Sequence, residues 1–382
     1  MTKHTSQRER IFLSPPTMTG RELELVKEVF AQNWIAPVGP HLTRFEGAFT
    51  EYLGGGHAVA LSSGTAAIHL ALLLAGVERG DEVWCPSFTF IGSCNAAVHM
   101  GATMTFLDSD ATSWNLDPHL LADSLRSRAE ANRLPKALIL VHLYGQPADV
   151  DPIRDVCGEF GVPVIEDAAE ALGATYKGRA LGLDGTAGAY SFNGNKIITT
   201  SGGGMLVTRN EAMADRARYL STQAKQPLPY YEHTEAGFNY RLSNVLAAIG
   251  IGQMEALAGL VERTRAVFDR YSMAFADTPA IRMMPVPEWA TNTHWLTCLT
   301  LDPTLTRATP ESIRLRLERM NIESRNLWKP MHLQPVFEQC EMIGGAVADR
   351  LFRDGLCLPS GAYLTNEQID TVAAEVLAGV RE

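Results

Sequence analysis

The chain reads Ala58-Val59-Ala60-Leu61-Ser62-Ser63-Gly64-Thr65 and then runs into the apolar stretch 66–75. The short apolar run predicts a buried strand, and the small residues after it predict a turn. Residues 66–75 are apolar on nearly every side, which predicts a buried helix. The turn could be a plain N-cap, since serine and threonine cap helices. It could also hold a phosphate, because a helix N-terminus presents free N–H groups and the positive end of the dipole.

The same alternation of apolar runs and helical patterns fills the first two thirds of the chain. The predicted strands are Ala58–Leu61, Glu82–Pro86, Thr103–Leu107, Ala137–His142, Val162–Glu166, Ala187–Phe192 and Gly204–Thr208. The predicted helices between them are Ala66–Ala75, Ile91–His99, Pro118–Ala131 and Asp151–Phe160. Continuous apolar strands that alternate with helices favour a mostly parallel sheet covered on both faces.

The pattern changes after about residue 243. One long helix is predicted over Leu246–Phe275, and the proline-rich stretch 278–288 ends it. A strand at Trp295–Leu301, a capped helix from about Thr309 and a last helix at Asn366–Val380 follow. We therefore predict a smaller second domain after about residue 250.

Composition excludes several classes of protein. The 382 residues carry a formal net charge of −10 without a lysine- or arginine-rich block, which argues against nucleic acid or an anionic membrane as partner. The six cysteines form no C-x-x-C pair and no zinc spacing with histidine, so we expect reduced thiols in the cytoplasm and no metal. Residues 1–10 are polar and predict no signal peptide, and the apolar stretch 66–77 is too short to cross a bilayer.

Two further segments carry residues suited to chemistry. Glu166-Asp167-Ala168-Ala169-Glu170 follows a predicted strand, where an aspartate could pair with a protonated ring nitrogen or simply cap the next segment. Lys196 follows the strand that ends near Ser191 and lies among small and apolar residues. Most lysines are solvated surface groups, but a desolvated lysine can act as an amine nucleophile toward an aldehyde.

Neither G-x-G-x-x-G nor G-x-x-x-x-G-K-[ST] is present, so a phosphate ligand would have to bind in another way. A phosphate cradle, a carboxylate for a ring nitrogen and a reactive lysine together form the minimum set for pyridoxal 5′-phosphate (PLP). Their order along the chain fits one sheet. The combination therefore predicts a PLP site more strongly than any one of the three segments.

From about Ile11 onward the sequence resembles the DegT/DnrJ/EryC1/StrS sugar aminotransferases, which are PLP enzymes of fold type I. The resemblance is carried by residues 33–40 (NWIAPVGP), 62–67 (SSGTAA), 86–90 (PSFTF), 166–170 (EDAAE), 191–204 (SFNGNKIITTSGGG) and 237–243 (GFNYRLS). It implies an α/β, aspartate aminotransferase-like fold. A large PLP-binding domain, residues 1–250, would surround a mostly parallel seven-stranded sheet, and residues 251–382 would form a smaller C-terminal α+β domain.

The resemblance also implies a role for each matching residue. Lys196 would attach the cofactor covalently, Asp167 would pair with the pyridine nitrogen, and Glu170 would lie near the ring hydroxyl. Phe90 would stack on the ring, unless it is an ordinary packed aromatic. The implied phosphate ligands are Ser63, Gly64, Thr65 and Ser191, with Asn239 or Arg241 reaching in from the second subunit of a homodimer that shares its active sites.

A narrower resemblance, over Asn33–Pro40, Asn193–Gly204 and Glu323–Pro335, is to the bacillosamine-pathway aminotransferases. It implies L-glutamate as amino donor and a UDP-linked 2-acetamido-4-keto-6-deoxyhexose as acceptor, although Asn326 stands where those enzymes usually have proline. The implied substrate residues are Trp34, Ala36, Asn193, Arg325, Lys329 and His332. The last three could bind the diphosphate or could be solvated surface charges.

Three alternatives remain at the level of sequence. The acceptor could be another nucleotide-linked 4-keto sugar, carried on dTDP or GDP. A PLP-dependent sugar dehydratase would share the fold, but there a histidine replaces the lysine, so Lys196 argues against it. A non-catalytic regulatory protein would not need the complete set of Lys196, Asp167 and Ser191.

Overall fold

The computed structural model describes residues 9–382. Most of the segment for which no signal peptide is predicted, residues 1–10, therefore lies outside the described residues. The helices are α1 (Arg21–Ala31), α2 (Pro40–Leu53), α3 (Gly64–Leu74), α4 (Gly92–Met100), α5 (Pro118–Glu130), α6 (Val150–Glu159), α7 (Glu211–Ser221), α8 (Asn244–Phe275), α9 (Pro310–Arg319), α10 (Ala346–Asp354) and α11 (Asn366–Arg381).

The strands are short, and many are fully buried. They are β1 (His57–Leu61), β2 (Glu82–Pro86), β3 (Thr103–Leu107), β4 (Ala137–Val141), β5 (Val164–Asp167), β6 (Thr175–Tyr176), β7 (Arg179–Ala180), β8 (Ala187–Ser191), β9 (Gly204–Thr208), β10 (Ile281–Met283), β11 (Ala290–Thr291), β12 (Thr297–Leu301), β13 (Arg325–Asn326), β14 (Glu341–Ile343) and β15 (Gly355–Leu358).

The main sheet has the order β1-β9-β8-β5-β4-β2-β3-β14. Strand β9 runs antiparallel to both of its neighbours, and the other neighbouring pairs are parallel. One cluster of buried apolar side chains fills each face, and α3 packs into one of them, as its apolar sequence predicts. The α/β fold class is confirmed.

The sheet has eight strands rather than the seven predicted, because β14 from the C-terminal part of the chain adds at the β3 edge. The carboxylate of Asp108, directly after β3, holds this addition. It accepts hydrogen bonds from the backbone N–H groups of Gly345, Val347 and Ala348 at 2.7, 3.0 and 2.9 Å. A three-residue strand has too little sequence pattern to be predicted, and here a buried aspartate fixes its end.

The C-terminal part has its own sheet, in the order β10-β12-β15-β13, with α9 and α11 packed beside it. Helix α8 joins the two parts of the chain. Its residues Leu260 and Val261 pack in the core of the main sheet, whereas Val267 and Tyr271 pack in the core of the smaller sheet. A domain division near residue 250 stays a prediction.

Helix α8 is also long and apolar enough to cross a membrane when only length and composition are considered. However, 56% of its most apolar window is buried inside the protein, as expected for the central helix of a folded core. All six cysteines are free thiols, and five of them are buried.

Candidate active site

A cleft of about 730 Å³ opens where β1, β4, β5 and β8 end. Ligands of open α/β sheets bind at these carboxyl ends. Predicted residues that line the cleft are Ser63, Gly64, Thr65, Phe90, Asp167, Glu170, Ser191, Asn193, Lys196 and Arg325. The fold therefore brings together residues that are up to 262 positions apart in the sequence (Ser63 and Arg325).

The first wall of the cleft is the N-terminus of α3. Ser63 is the N-cap, and its hydroxyl accepts from the Ala66 N–H at 3.0 Å. The first amides of a helix have no acceptor inside the helix, so those of Gly64 and Thr65 are available to a ligand. The cradle is tightly built, because a Cβ on Gly204 would lie 2.3 Å from the Ser63 carbonyl carbon.

Asp167 supplies the second wall. It is 6% exposed, and its carboxylate accepts from the Ser93 hydroxyl at 2.6 Å and from the Ala169 N–H at 3.1 Å. A carboxylate has about four acceptor positions, so this one can still accept a charged N–H from a ring nitrogen. Ser93 carries no sequence motif, and its role appears only in the structure.

Lys196 lies opposite, and its side chain is 12% exposed. Its Nζ is 3.2 Å from Oε1 of Glu170 and 4.0 Å from the centre of the Trp295 ring. Burial raises the pKa of Glu170 to about 7, even though Lys196 and the Tyr144 N–H both favour the charged carboxylate. Glu170 thus changes charge near neutral pH, within contact distance of the reactive amine.

Aromatic side chains form the remaining wall. Phe90 is 57% exposed, and the centre of its ring lies 5.6 Å from that of Trp328. The ring of Trp328 in turn contacts that of Tyr144, whose hydroxyl accepts from the backbone N–H of Trp328 at 3.0 Å. The stacking position predicted for Phe90 is therefore open to a ligand. Trp328 and Trp295 are cleft residues that the sequence reasoning missed.

Six predicted site residues do not line this cleft, namely the four described here and Lys329 and His332. Trp34 and Ala36 are exposed in the segment between α1 and α2, and Asn239 is exposed before α8. Arg241 is partly buried and forms an ion pair with Glu46 of the same subunit at 2.5 Å. Arg241 is thus engaged within its own subunit, whereas Asn239 remains accessible to another one.

Of the three predicted cations near the C-terminus, Arg325 and Lys329 line one cavity, whereas His332 lies apart from them. Arg325 lines the cleft, and Lys329 lines an adjacent cavity of about 480 Å³ that Arg325 also lines. His332 lies in neither, because its ring nitrogens contact the Ser87 hydroxyl at 2.6 Å and the Asp349 carboxylate at 3.0 Å. Across residues 9–382, no three His, Cys, Asp or Glu side chains are grouped as a metal site would need.

A family model described as the DegT/DnrJ/EryC1/StrS aminotransferase family matches residues 16–377. The chain belongs to this family. EpsN of Bacillus subtilis (strain 168), named as a pyridoxal phosphate-dependent aminotransferase, is 48% identical over 364 residues, which are 94% of this chain and 93% of EpsN. GDP-perosamine synthase of Caulobacter vibrioides is 38% identical over 366 residues, 96% of this chain and 97% of that protein. Among solved structures, the aminotransferase TlmJ from Streptoalloteichus hindustanus is 32% identical, with a TM-score of 0.89 over 97% of this chain and 98% of its own.

The predicted family, its enzyme class and PLP as cofactor are thereby confirmed. The cleft also fits this cofactor by its own geometry. Free amides at the start of α3 suit the phosphate, the partly unfilled acceptor capacity of Asp167 suits the pyridine nitrogen, and Lys196 lies within the same cleft. The roles of the individual residues toward PLP remain predictions.

The substitution Gly204→Ala should weaken PLP binding about tenfold, because its methyl group would displace Ser63 and Gly64 and cost one or two hydrogen bonds to the phosphate. Gly202→Ala is the matched control, since no atom lies within 4 Å of a Cβ there. Titration of the cofactor-free protein with PLP, followed by absorbance, measures both variants. Equal affinities for the two variants would contradict the phosphate cradle.

The raised pKa of Glu170 predicts a pH-dependent stability. The folded protein holds this proton up to about pH 7, whereas an unfolded glutamate loses it near its ordinary value of 4.5. Folding is therefore favoured below that ordinary value, and the advantage is lost as the pH rises toward 7. We expect the free energy of unfolding, measured with urea on the cofactor-free protein, to fall between about pH 4.5 and pH 8. The fall should be about 3 kcal/mol larger for wild type than for Glu170→Gln.

The control for this measurement is Glu130→Gln, which changes an exposed carboxyl at the end of α5. The free energy of unfolding of this variant should differ from that of wild type by a nearly constant amount over the same pH range. A constant difference for Glu170→Gln as well would show that this carboxyl has an ordinary pKa.

Proposed function

We propose that this protein is an aminotransferase that moves the amino group of L-glutamate to C4 of a nucleotide-linked 4-keto-6-deoxy sugar. The observation that carries the proposal is the position of Lys196 Nζ, in one cleft with Asp167 and the N-terminus of α3. PLP, when bound, supplies the electron sink that labilises the bond to the transferred hydrogen. The cytoplasm, which holds such sugar nucleotides and keeps thiols reduced, is the proposed compartment.

The side chains divide the work between them. Asp167 would hold the ring nitrogen protonated, and the α3 amides would anchor the phosphate. Lys196 would move a proton at its Nζ as general base and acid, because its amine lies in the cleft beside Glu170 and Trp295. Glu170 Oε1, 3.2 Å away, would accept a proton from Nζ and return it.

The preferred acceptor is UDP-2-acetamido-2,6-dideoxy-4-keto-hexose, from the narrower resemblance at 193–204 and 323–335. A diphosphate needs cations from a protein of net charge −10, and Arg325 and Lys329 are the predicted ones that line cavities at the site. His332 is withdrawn from this group, because Ser87 and Asp349 occupy its ring nitrogens. The likeness to a GDP-perosamine synthase favours a GDP-linked 4-keto sugar as second candidate.

A homodimer with shared sites is part of the proposal. The segment from the end of α1 to α2 exposes Phe30, Trp34, Ile35 and Val38, each 47% or more. Asn244 holds this segment in place, as its side chain donates to the Trp34 carbonyl at 2.8 Å and accepts from the Leu42 N–H at 3.0 Å. A rigid apolar surface of this kind suits a second copy of the chain, and it would carry Trp34 and Ala36 toward that copy.

Lys196 should carry the cofactor. Borohydride reduction of the PLP-loaded protein and peptide mapping should place the pyridoxyl group on Lys196. Lys196→Ala should abolish transamination while still binding PLP through Asp167 and the cradle. A label on another lysine would refute the assignment.

The acceptor can be tested by direct competition. With glutamate in excess, equal amounts of the UDP-linked 2-acetamido-4-keto sugar, GDP-4-keto-6-deoxymannose and a dTDP-4-keto-6-deoxy sugar are supplied together. The UDP sugar should be aminated fastest. Faster amination of the GDP sugar would select the second candidate, and amination of none of the three would refute the proposed function.

The assembly makes a further prediction. Light scattering should give the mass of two chains at dilutions where the enzyme is active. Asn239→Ala should weaken PLP binding about tenfold, since it would lose one or two hydrogen bonds to the phosphate. The control is Asn366→Ala, which changes an exposed asparagine at the start of α11. An active monomer would rule out shared sites.

A further inference from the structure

Trp295 is a buried tryptophan, 3% exposed, that lies just before β12 in the C-terminal part of the chain. The face of its ring is 4.0 Å from Lys196 Nζ. Its indole N–H donates to the carbonyl oxygen of Asn195, the residue before Lys196, at 2.6 Å. One side chain thus contacts both the amine of the lysine and the backbone that carries it.

The backbone of Trp295 is itself held in place. Thr293 N–H donates to the Gly145 carbonyl at 3.1 Å, and the Asn292 side chain donates to that of Gln146 at 3.1 Å. The turn at 145–146 follows β4 of the main sheet. The ring is therefore fixed relative to the sheet that carries Asp167.

We propose that Trp295 is a positioning residue for Lys196. The ring face stabilises the free ammonium inside the cleft, and the N–H fixes the chain at Asn195 so that Nζ stays between the ring and Glu170. An ammonium over an indole face is stabilised more strongly when it is shielded from water, and the Lys196 side chain is only 12% exposed. The inference rests on the proposed role of Lys196, and it concerns the stage of turnover in which the lysine is not joined to the cofactor.

Charged groups also face Lys196 across the cleft. They are Asp167 and Glu170 from the region of β5, and Glu323 and Arg325 from the region of β13. A test must leave these groups in place. It must also keep the cleft apolar, so leucine rather than alanine is the replacement for the ring.

The experiment uses cofactor-free full-length protein and a short pulse of acetic anhydride, which reacts with neutral amines, at a series of pH values. Mass spectrometry of the Lys196 peptide gives the midpoint of the labelling curve. In Trp295→Leu the midpoint should fall by about 0.5 to 1 pH unit, so labelling below the midpoint rises about three- to tenfold. Trp295→Phe, which keeps a ring, should shift by less than half as much.

Hydrogen exchange over residues 193–198 tests the second contact of Trp295, the hydrogen bond from its indole N–H to the Asn195 carbonyl, independently of the ring contact. Both Trp295→Phe and Trp295→Leu lose the indole N–H, so both should exchange faster there than wild type. The matched control is Trp114→Leu, a tryptophan of the same apolar cluster that is 4% exposed and does not line the cleft. It should change neither readout.

A labelling midpoint for Trp295→Leu equal to that of wild type would overturn the ring contact. If Trp295→Leu fails to fold, Trp295→Phe provides the test. A wild-type labelling midpoint together with wild-type hydrogen exchange in Trp295→Phe would overturn the proposal. These readouts use no cofactor. A failure here is therefore distinct from a failure of Lys196 to carry PLP, which borohydride labelling reports.

Discussion

The active site depends on two adjacent carboxylates that point in opposite directions. Glu166 and Asp167 are the last residues of β5, and successive side chains of a strand lie on opposite faces. Glu166 is fully buried, yet its pKa is lowered. Burial alone would raise that pKa, but the carboxylate accepts from His142 Nε2 at 3.1 Å and from the N–H groups of Gly182, Asp184 and Gly185 at 2.7–2.8 Å. This satisfied charge fixes the end of β5, and so it fixes Asp167 at the cleft.

The turn that satisfies Glu166 requires glycine at two positions. Gly182 has a φ of +88°, a conformation that residues with a Cβ rarely adopt. Gly188 on β8 allows the turn to approach, because a Cβ there would lie 2.4 Å from the Gly182 carbonyl oxygen. His142 also fits, since its Nδ1 accepts from the Ala148 N–H, which leaves Nε2 to donate to Glu166. A neutral histidine and three amides thus compensate one buried charge without placing a second charge beside Asp167.

The sequence predicts those features that depend on local pattern. The apolar runs predicted the seven large-domain strands to within two residues at each end, because a strand covered on both faces must be apolar throughout. The N-cap at Thr309 was also predictable, and the structure shows the full capping box with Ser312. Helices α1, α2, α7 and α10 were not predicted, and all four mix polar and apolar residues. Amphipathic periodicity could have revealed them.

The sequence pattern does not predict which side chains far apart in the chain contact each other. Asn239 and Arg241 are two residues apart, and from the sequence either could contact the phosphate. Only the structure shows that Arg241 forms an ion pair with Glu46, 195 positions away. His332 looked like a third cation beside Arg325 and Lys329, but Ser87 and Asp349 occupy its nitrogens. Ser93 is bonded to Asp167 without any motif that marks it.

The position of Lys196 shows why both parts of the chain are needed for one site. Glu170, which pairs with its amine, follows β5 of the main sheet, whereas Trp295, over the amine, and Trp328, next to that ring, precede and follow strands of the smaller sheet. Tyr144 connects Trp328 with Glu170. Its hydroxyl accepts from the backbone N–H of Trp328, and its own backbone N–H donates to the Glu170 carboxylate at 2.8 Å. The smaller sheet thus supplies two aromatic side chains to a cleft whose carboxylates Asp167 and Glu170 come from the main sheet. The contacts of the Lys196 amine therefore depend on how the two sheets pack against each other.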